Sequence, residues 1–152
     1  MGVVLQSALY RTEQDLPRVM KLGVRIRLVK GAYKEPRSAA HQKRAEVDAA
    51  YARQMKMLLT DAHDPAIASH DPAMIDLARR WAQDRGVSAD RFEFQMLYGV
   101  RRDLQTRLAS EQYRVRVYIP FGGDWFPYFM RRLGERPANV AFVVRALVGE
   151  TR

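Results

Sequence analysis

A chain of 152 residues with 47% hydrophobic side chains is the size of one domain and can bury a core. It has no cysteine, which excludes disulfides and thiolate metal sites, and no apolar run approaches the ~20 residues of a membrane span or the shorter core of a signal peptide. The 26 Lys and Arg against 17 Asp and Glu leave a net charge of +9, which attracts anions, but the arginines are scattered with no basic tract, so nucleic acid is not the expected partner.

The first apolar stretch, Val3-Val-Leu-Gln-Ser7, predicts a strand over 3–7 with Gln6 near its carboxyl end. No cap, helix or strand precedes it, so the sequence reads as starting inside a fold. A second strand is predicted over 25–31, with Arg27 between Ile26 and Leu28. A buried strand is normally apolar on both faces, so Arg27 either meets an anion or acceptor inside or snorkels to solvent from the strand edge. The strand ends in Val29-Lys-Gly-Ala-Tyr33, where a Gly31-Ala32 turn lets backbone N–H groups approach a ligand beside Lys30; an ordinary strand-to-loop turn is the commoner meaning.

An apolar pattern over about 38–60 predicts the longest helix. A third strand, 66–70, ends in Ser69-His70. Asp71-Pro72 then supplies an N-cap and a first-turn proline, and Gly86 a stop. The fourth strand, 92–97, alternates Glu93 and Gln95 on one face, both expected to point inward, and runs to Leu97. A fifth, 116–121, carries Tyr118. A helix over 124–136 places Tyr128, Arg131, Arg132 and Glu135 on one face, either solvated or aimed into a pocket, and Pro137 separates it from a second helix over about 138–149. The three histidines, His41, His63 and His70, share no metal-ligand spacing, so no metal site is expected.

Strands alternating with helices imply an α/β fold with a parallel sheet, in a single domain over 1–152. Two architectures fit: an open doubly wound sheet of flavodoxin type, or part of a (β/α)₈ TIM-type barrel comprising about five β/α units. Gln6, Lys30, Ser69, His70, Gln95 and Tyr118 fall at or near the carboxyl ends of strands, where barrel enzymes assemble their sites, which favours the barrel.

Arg27-Leu-Val-Lys-Gly-Ala-Tyr33, Ala68-Ser-His-Asp71, Phe92-Glu-Phe-Gln-Met-Leu-Tyr-Gly99, Arg116-Val-Tyr-Ile-Pro-Phe-Gly122 and Tyr128-Phe-Met-Arg-Arg-Leu-Gly-Glu-Arg-Pro-Ala-Asn139 occur in that order. Together they resemble the carboxyl-terminal part of the proline dehydrogenase family, including the matching domain of bifunctional proline-utilisation proteins. The resemblance implies oxidation of L-proline to Δ1-pyrroline-5-carboxylate by hydride transfer to FAD, the first step of proline catabolism, with electrons passed to a quinone. It implies a cytoplasmic protein, at the membrane surface where the quinone is met. Arg27 would be the catalytic arginine beside the flavin. Gln6, Arg27, Lys30, Gly31, Ala32, Ser69 and His70 would hold FAD. Tyr33, Leu97, Tyr118 and Tyr128 would wall the proline pocket, and Arg131 and Arg132 would grip the proline carboxylate from a helix across the barrel mouth.

The family's earlier strands, which bring a substrate-site lysine and a catalytic aspartate, have no counterpart here. The chain therefore reads as a truncated or split barrel, completed by a second chain or a second copy. An inactive or complementing half-barrel is the alternative function. An arginine-rich nucleic-acid binder and an FMN-binding flavodoxin-like domain rank below both.

Overall fold

The structure, a computed structural model, describes residues 2–31, 33, 35–119 and 121–123. The helices expected over 124–136 and 138–149 lie outside the described residues, as do Ala32, Tyr128, Arg131 and Arg132.

Five strands are described: β1 Gly2–Gln6, β2 Arg25–Val29, β3 Ala66–Ala68, β4 Glu93–Leu97 and β5 Arg114–Tyr118. Between them run helices α1 Thr12–Met20, α2 Arg44–Asp61, α3 Pro72–Asp84 and α4 Arg102–Ser110, with a 3₁₀ turn at Ala89–Arg91. All neighbouring strands are parallel, and their order in the sheet is β1-β2-β3-β4-β5. That order separates the two expected architectures. A flavodoxin-type sheet reverses its strand order at a switch point; a barrel adds each strand beside the last. With right-handed crossovers and no reversal, the helices collect on one face. The fold is α/β and a partial barrel.

Strand periodicity assigns the two faces. Ile26, Leu28, Ile67, Phe94 and Met96 alternate toward the helices and are at most 2% exposed. They join Leu16, Tyr51, Met55, Leu58, Ile75, Ala78, Leu104 and Leu108 in one continuous core. Each such buried Leu, Ile or Phe contributes about 1.5–3 kcal/mol of transfer free energy. Phe92, Phe94 and Tyr113 pack ring against ring, with centroids 5.4–5.8 Å apart. The opposite face carries Arg25, Arg27, Glu93, Gln95, Arg116 and Tyr118.

Local signals explain most boundaries. Asp71 caps α3 by accepting the Ala73 N–H at 3.1 Å, with Pro72 in the first turn, and Gly86 takes φ +64° just beyond the helix. β2 ends at Val29 rather than 31 and β3 at Ala68 rather than 70, and two further boundaries differ from expectation for reasons the contacts give. The long helix begins at Arg44 rather than 38, because residues 36–41 are used otherwise: Ala39 and Ala40 N–H groups return to the Pro36 carbonyl, and Ala40 bridges Leu9. The fifth strand is Arg114–Tyr118 rather than 116–121. Val115 and Val117 face the helices while Arg114 and Arg116 find carboxylates, whereas Ile119 and Phe121 are 65% and 99% exposed. Ile119 and Phe121 imitate a strand interior in sequence without having a face to bury.

Candidate active site

Arg27 is in the middle of β2, between two fully buried residues, and projects from the helix-free face. Its Nε donates to Gln95 Oε1 at 2.5 Å, and its guanidinium lies 4.6 Å from the centre of the Tyr118 ring. These contacts cross β3 and, for Tyr118, β4 as well. They need a concave sheet and a small residue in between; Ala66, the register partner of Arg27 on β3, supplies it. Arg27 thus meets an acceptor in the sheet interior and does not snorkel from an edge. Among the described residues its terminal Nη groups make no hydrogen bond. An open cavity of about 280 Å³ lies before it, lined from Gly2 and Arg25 at the amino ends of β1 and β2, past Gln95 and Arg116, to Tyr118.

Glu93 lies behind Gln95 on the same strand face, as the alternation predicted. It is 4% exposed and holds three partners. Its Oε1 accepts from Gln95 Nε2 and from Arg116 Nε, the latter at 2.8 Å. Its Oε2 lies 3.1 Å from Arg116 Nη2 and 2.7 Å from Arg25 Nη2. Burial raises the pKa of this carboxyl, but the hydrogen bonds from Arg116, Gln95 and Arg25 outweigh burial and lower it to about 2. Asp64 performs a similar service at the amino ends of the strands, pairing with Arg25 at 2.9 Å and with Arg114. Much of the basic charge is matched in this way within the fold.

At the carboxyl ends, the turn after β2 carries the next group. Gly31 has φ +108°, and a Cβ there would stand 3.0 Å from the Ala8 Cβ and 3.2 Å from Gln6 Oε1. Only glycine lets the turn lie this close to Gln6. Lys30 is 9% exposed, and its ammonium binds Asp48 and, at 2.8 Å, Asp71 Oδ2. It ties the end of β2 to α2 and α3. Burial raises the Asp71 pKa, but Lys30, the Ala73 N–H and Arg44 together leave it below the usual carboxylate range. Ser69 Oγ accepts the Asp71 N–H at 3.1 Å, and His70 Nε2 accepts the Leu97 N–H at 2.8 Å, joining the end of β3 to the end of β4. Leu97 and Tyr118 are register partners.

The structure therefore brings Gln6 against Gly31 and His70 against Leu97 at the carboxyl ends of adjacent strands, and Arg27, from the middle of β2, against Tyr118 at the end of β5. Tyr33 is 64% exposed in the loop beyond Gly31. Sequence reasoning expected Gln95 and Glu93 to point inward but missed their link to each other and to Arg27, and it missed Asp48 and Asp71 as the partners of Lys30. The signal for the first two was the Glu-x-Gln alternation opposite a mid-strand arginine. The two aspartates gave none, because they are 18 and 41 residues from Lys30.

These features define an α/β barrel-type fold whose helix-free face is polar from mid-strand to the carboxyl ends. The proline dehydrogenase family profile matches residues 2–145, and the chain belongs to that family. It is 46% identical over 147 residues to proline dehydrogenase 2 of Bacillus subtilis strain 168, covering 97% of this chain and 48% of that protein. It is 48% identical over 148 residues to the proline dehydrogenase of Deinococcus radiodurans, again covering 97% of this chain and 48% of the relative. The chain spans about half the length of these relatives. Among solved structures, proline utilization A from Bdellovibrio bacteriovorus, inactivated by N-propargylglycine, superposes with a TM-score of 0.80 at 28% identity, covering 87% of this chain and 16% of that one. A Bradyrhizobium japonicum proline utilization A mutant gives 0.78 at 28% identity, over 95% and 17%. Among the described residues, no helix is long and apolar enough to cross a membrane.

Proposed function

We propose that this chain forms the flavin- and proline-binding side of a proline dehydrogenase, oxidising L-proline to Δ1-pyrroline-5-carboxylate with FAD as the hydride acceptor and a quinone as the final oxidant. Family membership supports the substrate and the reaction class. The single observation that carries the cofactor is Arg27: a guanidinium fixed by Gln95 and Tyr118, with its Nη donors uncommitted among the described residues, facing an open cavity.

The donor set fits FAD. Gly31 lets the turn after β2 pack directly against the Gln6 amide, so Gln6 and the turn's backbone would meet the cofactor together, with Arg27 offering its donors from the cavity in the middle of the sheet. FAD, when bound, supplies the two-electron chemistry. The protein's part is to bind and orient. Arg27 offers fixed charged donors that favour an anionic ring. Because Asp48 and Asp71 engage the Lys30 ammonium, the Lys30-Gly31-Ala32 turn would serve FAD through its backbone. Ser69 and His70 would border the cofactor. Leu97, Tyr118 and Tyr33 would wall the proline pocket with Tyr128, and Arg131 and Arg132 would bind the carboxylate as a bidentate pair. Quinone reduction would bring the protein to the membrane surface.

A complementing half-barrel is the second reading. β1 and β5 each pair on one side only among the described residues, and Val3 and Val4 of β1 are 36% and 55% exposed. A second chain or a second copy would then complete the barrel. FAD titration of the full chain, followed by flavin fluorescence, tests the cofactor assignment. Arg27→Met should weaken binding by roughly tenfold or more, the weight of a charged hydrogen bond. Equal affinity in parent and variant would remove Arg27 from the flavin site.

A further inference from the structure

The flavin reading gives Glu93 no part, yet Glu93 is the most heavily bonded carboxylate on the concave face. We propose that Glu93 is a positioning residue that sets the orientation of Arg27 through the Gln95 amide. The functional consequence rests on the flavin reading; the geometry does not.

An ionised carboxylate only accepts hydrogen bonds, whereas a primary amide has one donating and one accepting end. Glu93 Oε1 takes the donating end of Gln95, so the accepting end must face Arg27, where it receives the Nε–H. Reversing the amide would set oxygen against oxygen at Glu93 and donor against donor at Arg27. Glu93 is itself held, because Arg116 and Arg25 occupy both of its oxygens. Ala66, between β2 and β4, offers no competing polar group. A neutral amide at position 93 could present either end to Gln95. The polarity of the relay would then be lost, and with it the only side-chain hydrogen bond on Arg27 among the described residues.

The test is side-chain hydrogen exchange at the Arg27 Nε–H, read by NMR on the full chain. The unmodified protein should show this proton protected; rapid exchange there would overturn the proposal. Glu93→Gln should accelerate exchange by roughly tenfold, the equilibrium weight of one hydrogen bond. Asp64→Asn removes the other carboxylate on Arg25 but does not touch Gln95, and should leave Arg27 unchanged. If Glu93→Gln fails to fold, Gln95→Met decides, since it keeps Glu93 and both its arginines and severs only the link; it should lose the same protection. Retained protection in either folded variant overturns the proposal. With FAD bound, Glu93→Gln and Gln95→Met should both lower the flavin midpoint potential and Asp64→Asn should not. Failure of the unmodified chain to take up FAD would count against the flavin reading alone and leave the exchange result to decide this one.

Discussion

Replacing Gly31 by alanine tests how the β2 turn is built. Two costs arise there. Position 31 has φ +108°, where an L side chain is strained by about 1–3 kcal/mol. The new Cβ would also stand 3.0 Å from the Ala8 Cβ. Ala8 cannot readily retreat, because its N–H donates to the Lys30 carbonyl at 2.8 Å and the neighbouring Ser7 N–H donates to the Val29 carbonyl at 2.8 Å. Overpacking against a fixed neighbour adds about 1 kcal/mol or more. The sum is about 2–4 kcal/mol, or a fall in Tm of roughly 5–12 °C for a chain of this size. Urea denaturation followed by circular dichroism measures it. Gly86→Ala is the comparison, since Gly86 has φ +64° but nothing within 4 Å of a Cβ, so it reports backbone strain alone. Adding Ala8→Gly to Gly31→Ala should recover the contact part only. If Gly31→Ala costs no more than Gly86→Ala, the close approach of this turn to Ala8 and Gln6 is wrong.

Acid should weaken the concave face. The Glu93 pKa is depressed to about 2, so its contribution is complete above pH ~4.5 and is lost as pH falls toward 2. The full shift would be worth about 3 kcal/mol, and solvent screening at the open face reduces this to roughly 1–2 kcal/mol. Glu93→Gln should flatten that part of the stability-against-pH curve, and an unchanged slope would show that the carboxylate is not held by its arginines. At the cap of α3, Asp71→Asn keeps the acceptor for the Ala73 N–H while removing a charge from Lys30; Asp71→Ala removes both. The alanine variant should be about 1 kcal/mol less stable than the asparagine variant in urea, and equal stabilities would refute the cap.

What could be read from the sequence was local. Alternating apolar residues, the Asp71-Pro72 start and the Gly86 stop each act within a few positions, so strands and helices were legible where one face had to be buried. The fifth strand starts two residues and ends three residues earlier than expected, because Ile119 and Phe121 look like strand interior yet have no core to join. The barrel was favoured from strand-end chemistry, but only the sequential strand order decides it, and pairing across 20 or more residues leaves no local mark. Arg27 drew attention as an arginine between Ile26 and Leu28. Its acceptor, 68 residues away, could not be assigned. Lys30 beside a glycine turn suggests a ligand group, but nothing local announces the two carboxylates, from α2 and the start of α3, that pair with its ammonium. The rest of the proposed site rests on the order of the motifs and the family they resemble; the profile match over 2–145 bears on the family.

The most direct measurement is an anaerobic visible absorption spectrum of the full chain with FAD, recorded before and after addition of L-proline. The expected result is a bound-flavin spectrum that bleaches on L-proline. Flavin that binds but stays oxidised would favour the complementing half-barrel, and absence of a bound-flavin spectrum would contradict the assignment of Arg27, Gln6 and the Gly31 turn to FAD in this chain.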